Sequence, residues 1–271
     1  MSELNRRIIT ASVLFSFTIV WMFYLPDPWF DTVAVLVGLL MSAELLLMAG
    51  VRKILFYGLA SLFSWALLLA LWAALPDGSG YGVLAAILCT MVIWTLIFLL
   101  NSDESLLQDD FKSLVYAQWM MTLLLIFVWS VMVIHRQDGG VWFLAGAMVG
   151  VWSADIAAYF AGRAFGSRKL CPAVSPGKTR EGLLGALLFG PLGAVSVWVL
   201  MLGMAPSVAL MLSILLVLIS VGGDLAESAL KRAVGVKDSG SMLPGHGGIL
   251  DRTDALLPSI PVVGLIWMTM L

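Results

Sequence analysis

Between Asp224 and Asp254 the chain gathers Asp224, Glu227, Lys231, Arg232, Lys237, Asp238, His246, Asp251, Arg252 and Asp254, with Ser228 among them, between two long apolar runs. Only 12% of the residues are charged, so this density marks where chemistry is to be sought. A charge at bilayer depth costs a few kcal/mol or more, which makes ionisable residues at the ends of membrane helices functional candidates by default. Asp224 and Glu227 close one apolar run, and Asp251 and Asp254 open the next. If the two runs lie antiparallel, Asp224 and Asp251 reach the same depth at the same membrane face. Helical spacing puts 224, 227, 228 and 231 on one face, and 251 with 254 on another. Hard cations such as Mg²⁺ take carboxylate oxygens in that setting and complete their shells with water and substrate phosphates. Gly235, Gly240, Gly245, Gly247 and Gly248 allow tight turns whose bare N–H groups suit anions. A loop that only set topology would not recess its carboxylates toward apolar ends, nor place a Gly-His-Gly-Gly turn before them.

The run SALKRAVGVKDSGSMLPGHGGILDRTD resembles the signature of the phosphatidate cytidylyltransferases, or CDP-diacylglycerol synthases. Ser228, Lys231, Arg232, Lys237, Asp238, Pro244, His246, Gly247, Gly248, Asp251, Arg252 and Asp254 fall in register with that pattern. Ser239 stands where many members have an aromatic residue, and Ala255 where Ser is frequent. A second block, DIAAYFAGRAFGSRKLCPAVSPGKTREG, is similar to the family's other recurrent segment through Asp155, Tyr159, Gly162, Arg163, Gly166, Ser175, Pro176, Lys178, Thr179, Glu181 and Gly182. There Gly177 replaces a usual Lys, and Arg180 a usual apolar or aromatic residue.

The resemblance implies transfer of CMP from CTP to phosphatidic acid, giving CDP-diacylglycerol and pyrophosphate. Both reactants are polyanions, so neutralising and aligning them is most of the catalytic task. Under it Asp224 and Asp251 are the expected metal ligands, with Asp254 and Asp238 next, for Mg²⁺ and room for a second ion. Asp224, Asp251, Lys231, Lys237, Arg252 and His246 form the expected catalytic set. Arg163, Ser175, Lys178, Thr179, Arg180, Ser228 and Arg232 are expected to bind substrate, Arg with forked hydrogen bonds and Lys as a point charge. The attacking lipid phosphate is already ionised at neutral pH, so His246 is expected to hold phosphate or shape the loop rather than act as a base. The expected partners are CTP, phosphatidic acid, membrane lipids and a second copy of the chain as a homodimer; no nucleic acid is implied. Two other CTP-dependent lipid enzymes fit the same residues, an ether-lipid cytidylyltransferase and a polyprenol kinase. A cation path along Asp155, Glu44 and Asp224 is the alternative from another class. Transporter sites lie near the midplane, often in repeated halves, whereas these charges cluster at one face and no internal repeat is visible.

These residues need a membrane scaffold. With 61% hydrophobic residues in 271, the chain has more apolar surface than a soluble core of this size hides. An all-α polytopic fold is expected, with nine spans drawn at 8–25, 31–50, 55–75, 81–100, 115–135, 141–161, 182–203, 207–223 and 255–271, each near the length that crosses about 30 Å of hydrocarbon. The boundary between 182–203 and 207–223 rests on Ala205 and Pro206 alone. With the N-terminus inside, fourteen of the fifteen Lys and Arg residues fall on the cytoplasmic side and only Arg136 outside. Both motif loops then face the cytoplasm of a bacterial inner membrane, where nucleotides are found. No cleaved signal peptide is expected, because no small-residue cleavage site precedes Pro26. The chain reads as a single membrane domain, with 1–113 a helical scaffold and 114–271 carrying the chemistry. Cys89 and Cys171 predict neither a disulfide nor a zinc site, the acidic stretch 101–110 reads as a solvated inner loop, and Trp29 and Trp142 read as interface anchors. Glu44, inside the second span, is expected to pair with Arg52 or Lys53 or to line a substrate cavity.

Overall fold

The structure is a computed structural model that describes residues 3–48, 54–74 and 111–271. Its helices are α1 (Glu3–Tyr24), α2 (Asp27–Met48), α3 (Ile54–Ala74), α4 (Phe111–His135) and α5 (Gly140–Phe165), followed after a hairpin by α6 (Arg180–Leu202), α7 (Pro206–Ala233), the short α8 (Leu250–Thr253) and α9 (Leu256–Met268). Among the described residues six helices are long and apolar enough to cross a bilayer, namely α1, α2, α5, α6, α7 and the part of α4 from Gln118 to His135. The chain is an integral membrane protein. The apolar part of α3, Tyr57–Ala73, is shorter, and α9 has 13 residues. The expected span 81–100, Cys89, the acidic stretch 101–110 and the pair Arg52 and Lys53 lie outside the described residues.

The uncertain boundary between the sixth and seventh helices has a local cause. Gly203 takes a left-handed conformation at φ 63 and its N–H caps Trp198 O, after which Pro206 opens α7. Gly at the C-terminus and Pro at the first helical position are the residues those positions favour. The fold also departs from the all-helical expectation. Lys169–Cys171 (β1) and Ser175–Thr179 (β2) form a two-stranded antiparallel hairpin, pairing Lys169 with Thr179 and Cys171 with Ser175. Cys171 is a free thiol.

By internal contact the chain forms two compact units, Met1–Met132 with Ala233–Arg252, and Val133–Arg232 with Thr253–Leu271. In the first, Phe30, Met41, Leu45, Trp65, Leu68, Met121, Leu124 and Leu125 form a buried core. Its indoles are hydrogen-bonded across helices: Trp65 Nε1 donates to Ser42 Oγ at 2.9 Å and Trp72 Nε1 to Asp31 Oδ2 at 2.9 Å. In the second, α5 and α6 pack closely along their length because glycines and alanines meet at the seam. A Cβ on Gly190 would stand 2.6 Å from Ala154 Cβ, and one on Gly150 2.8 Å from Ala194 Cβ. Small residues let membrane helices approach where lipid supplies no hydrophobic drive between them. The opposite side of α6 exposes Leu184, Leu188 and Leu192 at intervals of four residues, a lipid-suited face. Phe143 lies between Trp198 and Trp267, with ring centroids at 5.0 and 4.3 Å, and this stack joins α9 to α5 and α6. Trp29 stands exposed in the first turn of α2 and Trp142 in that of α5.

Gly190→Val places branched carbon where no Cβ fits, and overpacking of this kind costs about 1–3 kcal/mol. Its unfolding midpoint in detergent should fall by several degrees relative to wild type. An unchanged midpoint would mean that the α5–α6 seam is not close-packed.

Candidate active site

In the second unit, α5 brings Asp155, Tyr159 and Arg163, β2 brings Lys178 and Thr179, and α7 brings Asp224 to the wall of one cavity of about 470 Å³. The rest of that wall is largely small and apolar, including Ala154, Ala158, Leu183, Ala186 and Val221. Lys178 Nζ makes a short charge-assisted hydrogen bond to Asp224 Oδ2. Their side chains are 28% and 29% exposed, open enough for an incoming anion to compete for the lysine. Ser228 Oγ donates to Asp224 Oδ1 at 3.3 Å, one turn along α7. Arg163 Nη1 donates to Tyr159 Oη at 2.8 Å, and Arg163 itself is exposed.

The hairpin explains why Lys178 reaches this point. Thr179 ends β2 and caps α6, its Oγ1 accepting from Gly182 N at 3.0 Å. Glu181 accepts from the backbone N–H of Ser167 and Arg168, and from Ser167 Oγ at 2.8 Å. Strand pairing, cap and Glu181 thus hold the hairpin against the start of α6. Thr179 is buried and its acceptor serves the helix. Ser175 begins β2 and Arg180 is exposed at the first residue of α6; neither lines the cavity. Arg232 Nε donates to Val174 O at 3.5 Å.

One turn beyond Asp224, Glu227 is fully buried and accepts from Lys231 Nζ at 3.1 Å, an i,i+4 pair. Its other oxygen, Oε1, is buried without a hydrogen-bond partner. Asp254 lies beside it, and burial above all holds the Asp254 carboxyl higher than the usual range; a side-chain hydrogen bond with Glu227 acts the other way, and the charge of Asp224 adds to the rise. Three carboxylates, Asp224, Glu227 and Asp254, thus share a neighbourhood with two lysines. In charge and in oxygen chemistry this group fits a divalent cation, and the orphaned Glu227 oxygen offers a lone pair for one. Among the described residues, however, no three His, Cys, Asp or Glu side chains converge as a ready ligand set.

The first unit holds the other motif residues. Arg7, Lys237, Asp238, His246 and Arg252 line a polar cleft of about 580 Å³ with Gly240, Ser241, Leu243, Pro244, Gly245 and Gly247. Thr10 Oγ1 donates to Pro244 O at 3.0 Å, so α1 lies against this loop. Gly235, Gly245 and Gly247 turn at positive φ of 76, 77 and 81. The loop's N–H groups, expected to face anions, are in part already taken by carboxylates. Ser239 N and Gly248 N donate to Asp251 Oδ2 at 2.9 and 2.8 Å, and Ile249 N and Leu250 N donate to Glu44 at 3.0 and 2.9 Å. Arg252 Nε and Nη2 both donate to the backbone carbonyl of His246, at 2.9 and 2.7 Å. The helix carrying Asp251 ends at Thr253, so Asp251 and Asp254 do not share a continuous helix face as expected.

Asp224, Lys178, Arg163 and Thr179 therefore line one cavity, with Ser228 bonded to Asp224, Lys231 to Glu227, and Asp254 near them. Lys237, Asp238, His246 and Arg252 line the second cleft, and Asp251 braces its loop. Three residues carry more than the sequence reading assigned them. Glu227 had a signal in its spacing to Asp224 and Lys231, and Arg7 in being a second arginine at the start of a span. Glu44 was visible only as a carboxylate inside an apolar run.

Residues 5–270 match the cytidylyltransferase family. The chain is similar to a phosphatidate cytidylyltransferase of Pseudomonas aeruginosa, at 37% identity over 281 residues that cover 97% of each chain. It is similar to one of Brucella suis at 35% identity over 269 residues, 98% of this chain and 93% of the other. A phosphatidate cytidylyltransferase of Haemophilus influenzae is 46% identical over 132 residues, 47% of this chain and 46% of that one.

His246 braces its loop through its backbone carbonyl, while its buried Nδ1 has no hydrogen-bond partner. His246→Gln should therefore keep turnover within about tenfold of wild type, with an unchanged pH–rate profile. A loss of about 10²-fold or more, with the acid limb gone, would instead make the imidazole a general base.

Proposed function

Because the chain belongs to the cytidylyltransferase family, we infer that it is a phosphatidate cytidylyltransferase, which transfers CMP from CTP to phosphatidic acid and releases pyrophosphate in phospholipid biosynthesis. The structural observation that carries this reading is the cavity of the second unit, where Arg163, Lys178 and Asp224 meet a largely apolar wall. A phosphate joined to acyl chains needs that combination of cationic and apolar surface. An oxygen of the lipid phosphate attacks the α-phosphorus of CTP, the bond from that phosphorus to the bridging oxygen breaks, and pyrophosphate leaves. The nucleophile arrives ionised, so no residue has to take its proton.

In this reading Lys178 exchanges its hold on Asp224 for a substrate phosphate, and Arg163 turns from Tyr159 to the same anion. Lys231 keeps Glu227 compensated, and Ser228 orients Asp224. Lys237 and Arg252, with Arg7, neutralise triphosphate oxygens, and Arg232, Ser175, Thr179 and Arg180 serve as polar contacts around the same substrates. Asp224 and Asp254, with Glu227, and in the other motif Asp251 and Asp238, are the residues that would hold Mg²⁺ and a second ion. When bound, such ions supply positive charge to phosphate oxygens. The inward-facing excess of Lys and Arg supports a cytoplasmic active site in a bacterial inner membrane. Nine spans, 81–100 being the fourth of them, one membrane domain and a homodimer complete the proposal.

Purified protein supplied with CTP, phosphatidic acid and Mg²⁺ should form CDP-diacylglycerol and pyrophosphate, lose that activity on exhaustive chelation and regain it when Mg²⁺ returns. Full turnover in the presence of chelator would remove the metal from the proposal. Asp224→Asn and Asp251→Asn each remove a charge with little packing, so each should lose more than about tenfold in rate while keeping its unfolding midpoint. Either variant retaining more than about a tenth of the wild-type rate would exclude that carboxylate from the reaction.

A further inference from the structure

We propose that Glu44, a residue of the N-terminal helices remote in sequence from both motifs, is a positioning residue for the reaction: its carboxylate clasps the start of α8 and so sets the placement of Asp251 and Arg252. Glu44 is 2% exposed, within α2. Its two oxygens divide the work, Oε1 accepting from Ile249 N at 3.0 Å and Oε2 from Leu250 N at 2.9 Å. The loop is shaped around it. A Cβ on Gly240 would stand 2.8 Å from Oε1, and one on Gly248 2.6 Å from Oε2, so two glycines leave the space the carboxylate fills.

The next acceptor along the chain repeats the device. Asp251 Oδ2 takes the N–H groups of Ser239 and Gly248, so four loop donors, at 239, 248, 249 and 250, are satisfied by two carboxylates. Leu250, between the clasped amides and Asp251, is fully buried and anchors the segment. A buried carboxylate in an apolar helix is costly unless it is hydrogen-bonded, and here the bonds it makes are to the residues just before Asp251 and Arg252. Gln in its place keeps the shape but turns an NH₂ donor toward one of the two N–H groups, leaving a buried donor without an acceptor.

The inference rests on the reading that Asp251 and Arg252 serve cytidylyl transfer, and the test separates the two. The full chain in lipid nanodiscs, as wild type, Glu44→Gln and Gly240→Ala, is followed by hydrogen exchange of peptides covering 248–252, by its unfolding midpoint, and by kcat for CTP with phosphatidic acid. Gly240→Ala crowds the same carboxylate while leaving its charge in place. Both variants should speed exchange in 248–252 by about tenfold or more and lower kcat by about 10–100-fold, with midpoints within a few degrees of wild type. Unchanged exchange in 248–252 overturns the clasp, and faster exchange with kcat within about twofold of wild type overturns its role in positioning. Should Glu44→Gln fail to fold, Gly240→Ala decides by the same two readings. If the wild-type protein itself turns over no CTP, the reaction reading and the positioning role fall together, while the exchange comparison still judges the clasp.

Discussion

A carboxylate at the end of an apolar helix must be compensated, and this protein is organised around how that is done. Asp224 is held by Lys178, Glu227 by Lys231, and Asp251 and Glu44 by backbone N–H groups. Each solution recruits a different part of the chain. The hairpin exists to carry Lys178 from the end of α5 back to α7. The positive-φ glycines of the 235–248 loop bend its backbone so that donors meet Asp251 and Glu44. Without these pairings the charges would either withdraw to water or become protonated.

The compensation differs in strength from place to place, and that gradient is what chemistry can use. Lys178 and Asp224 are partly open, so a substrate phosphate can enter the pairing. Glu227 is sealed, with one oxygen on Lys231 and the other without a partner, next to Asp254. An arrangement saturated with fixed ion pairs would bind nothing; one without them would not form in an apolar surround. Small residues at the α5–α6 seam let the helices approach closely, so much of the cavity wall around Arg163 and Lys178 is made of glycines and alanines.

Local chemistry was readable in the sequence where cause and effect are close along the chain. Pro206 marked the start of α7, and the spacing of Glu227 and Lys231 gave an i,i+4 pair. The charged residues of the two motif segments stood out against apolar flanks, and Lys178 does come to Asp224. The hairpin was not legible, because Lys169–Cys171 is three residues long and shows no alternation. The backbone partners of Glu44 were not legible for a related reason. Its neighbours in sequence suggested Arg52 or Lys53, whereas its donors lie 205 and 206 residues away, and no local pattern reports a contact of that range. The loop glycines were read correctly as turn-formers at 235, 245 and 247, but at 240 and 248 their use is to leave room for that same carboxylate.

The central claim is that the bond made is between the lipid phosphate and the α-phosphorus of CTP. Parallel incubations of the purified protein and phosphatidic acid with CTP labelled at the α-phosphate, and with CTP labelled at the γ-phosphate, test it directly. The α label should pass into the lipid and the γ label into pyrophosphate. Label from the γ position in the lipid would make the protein a kinase, and contradict the account.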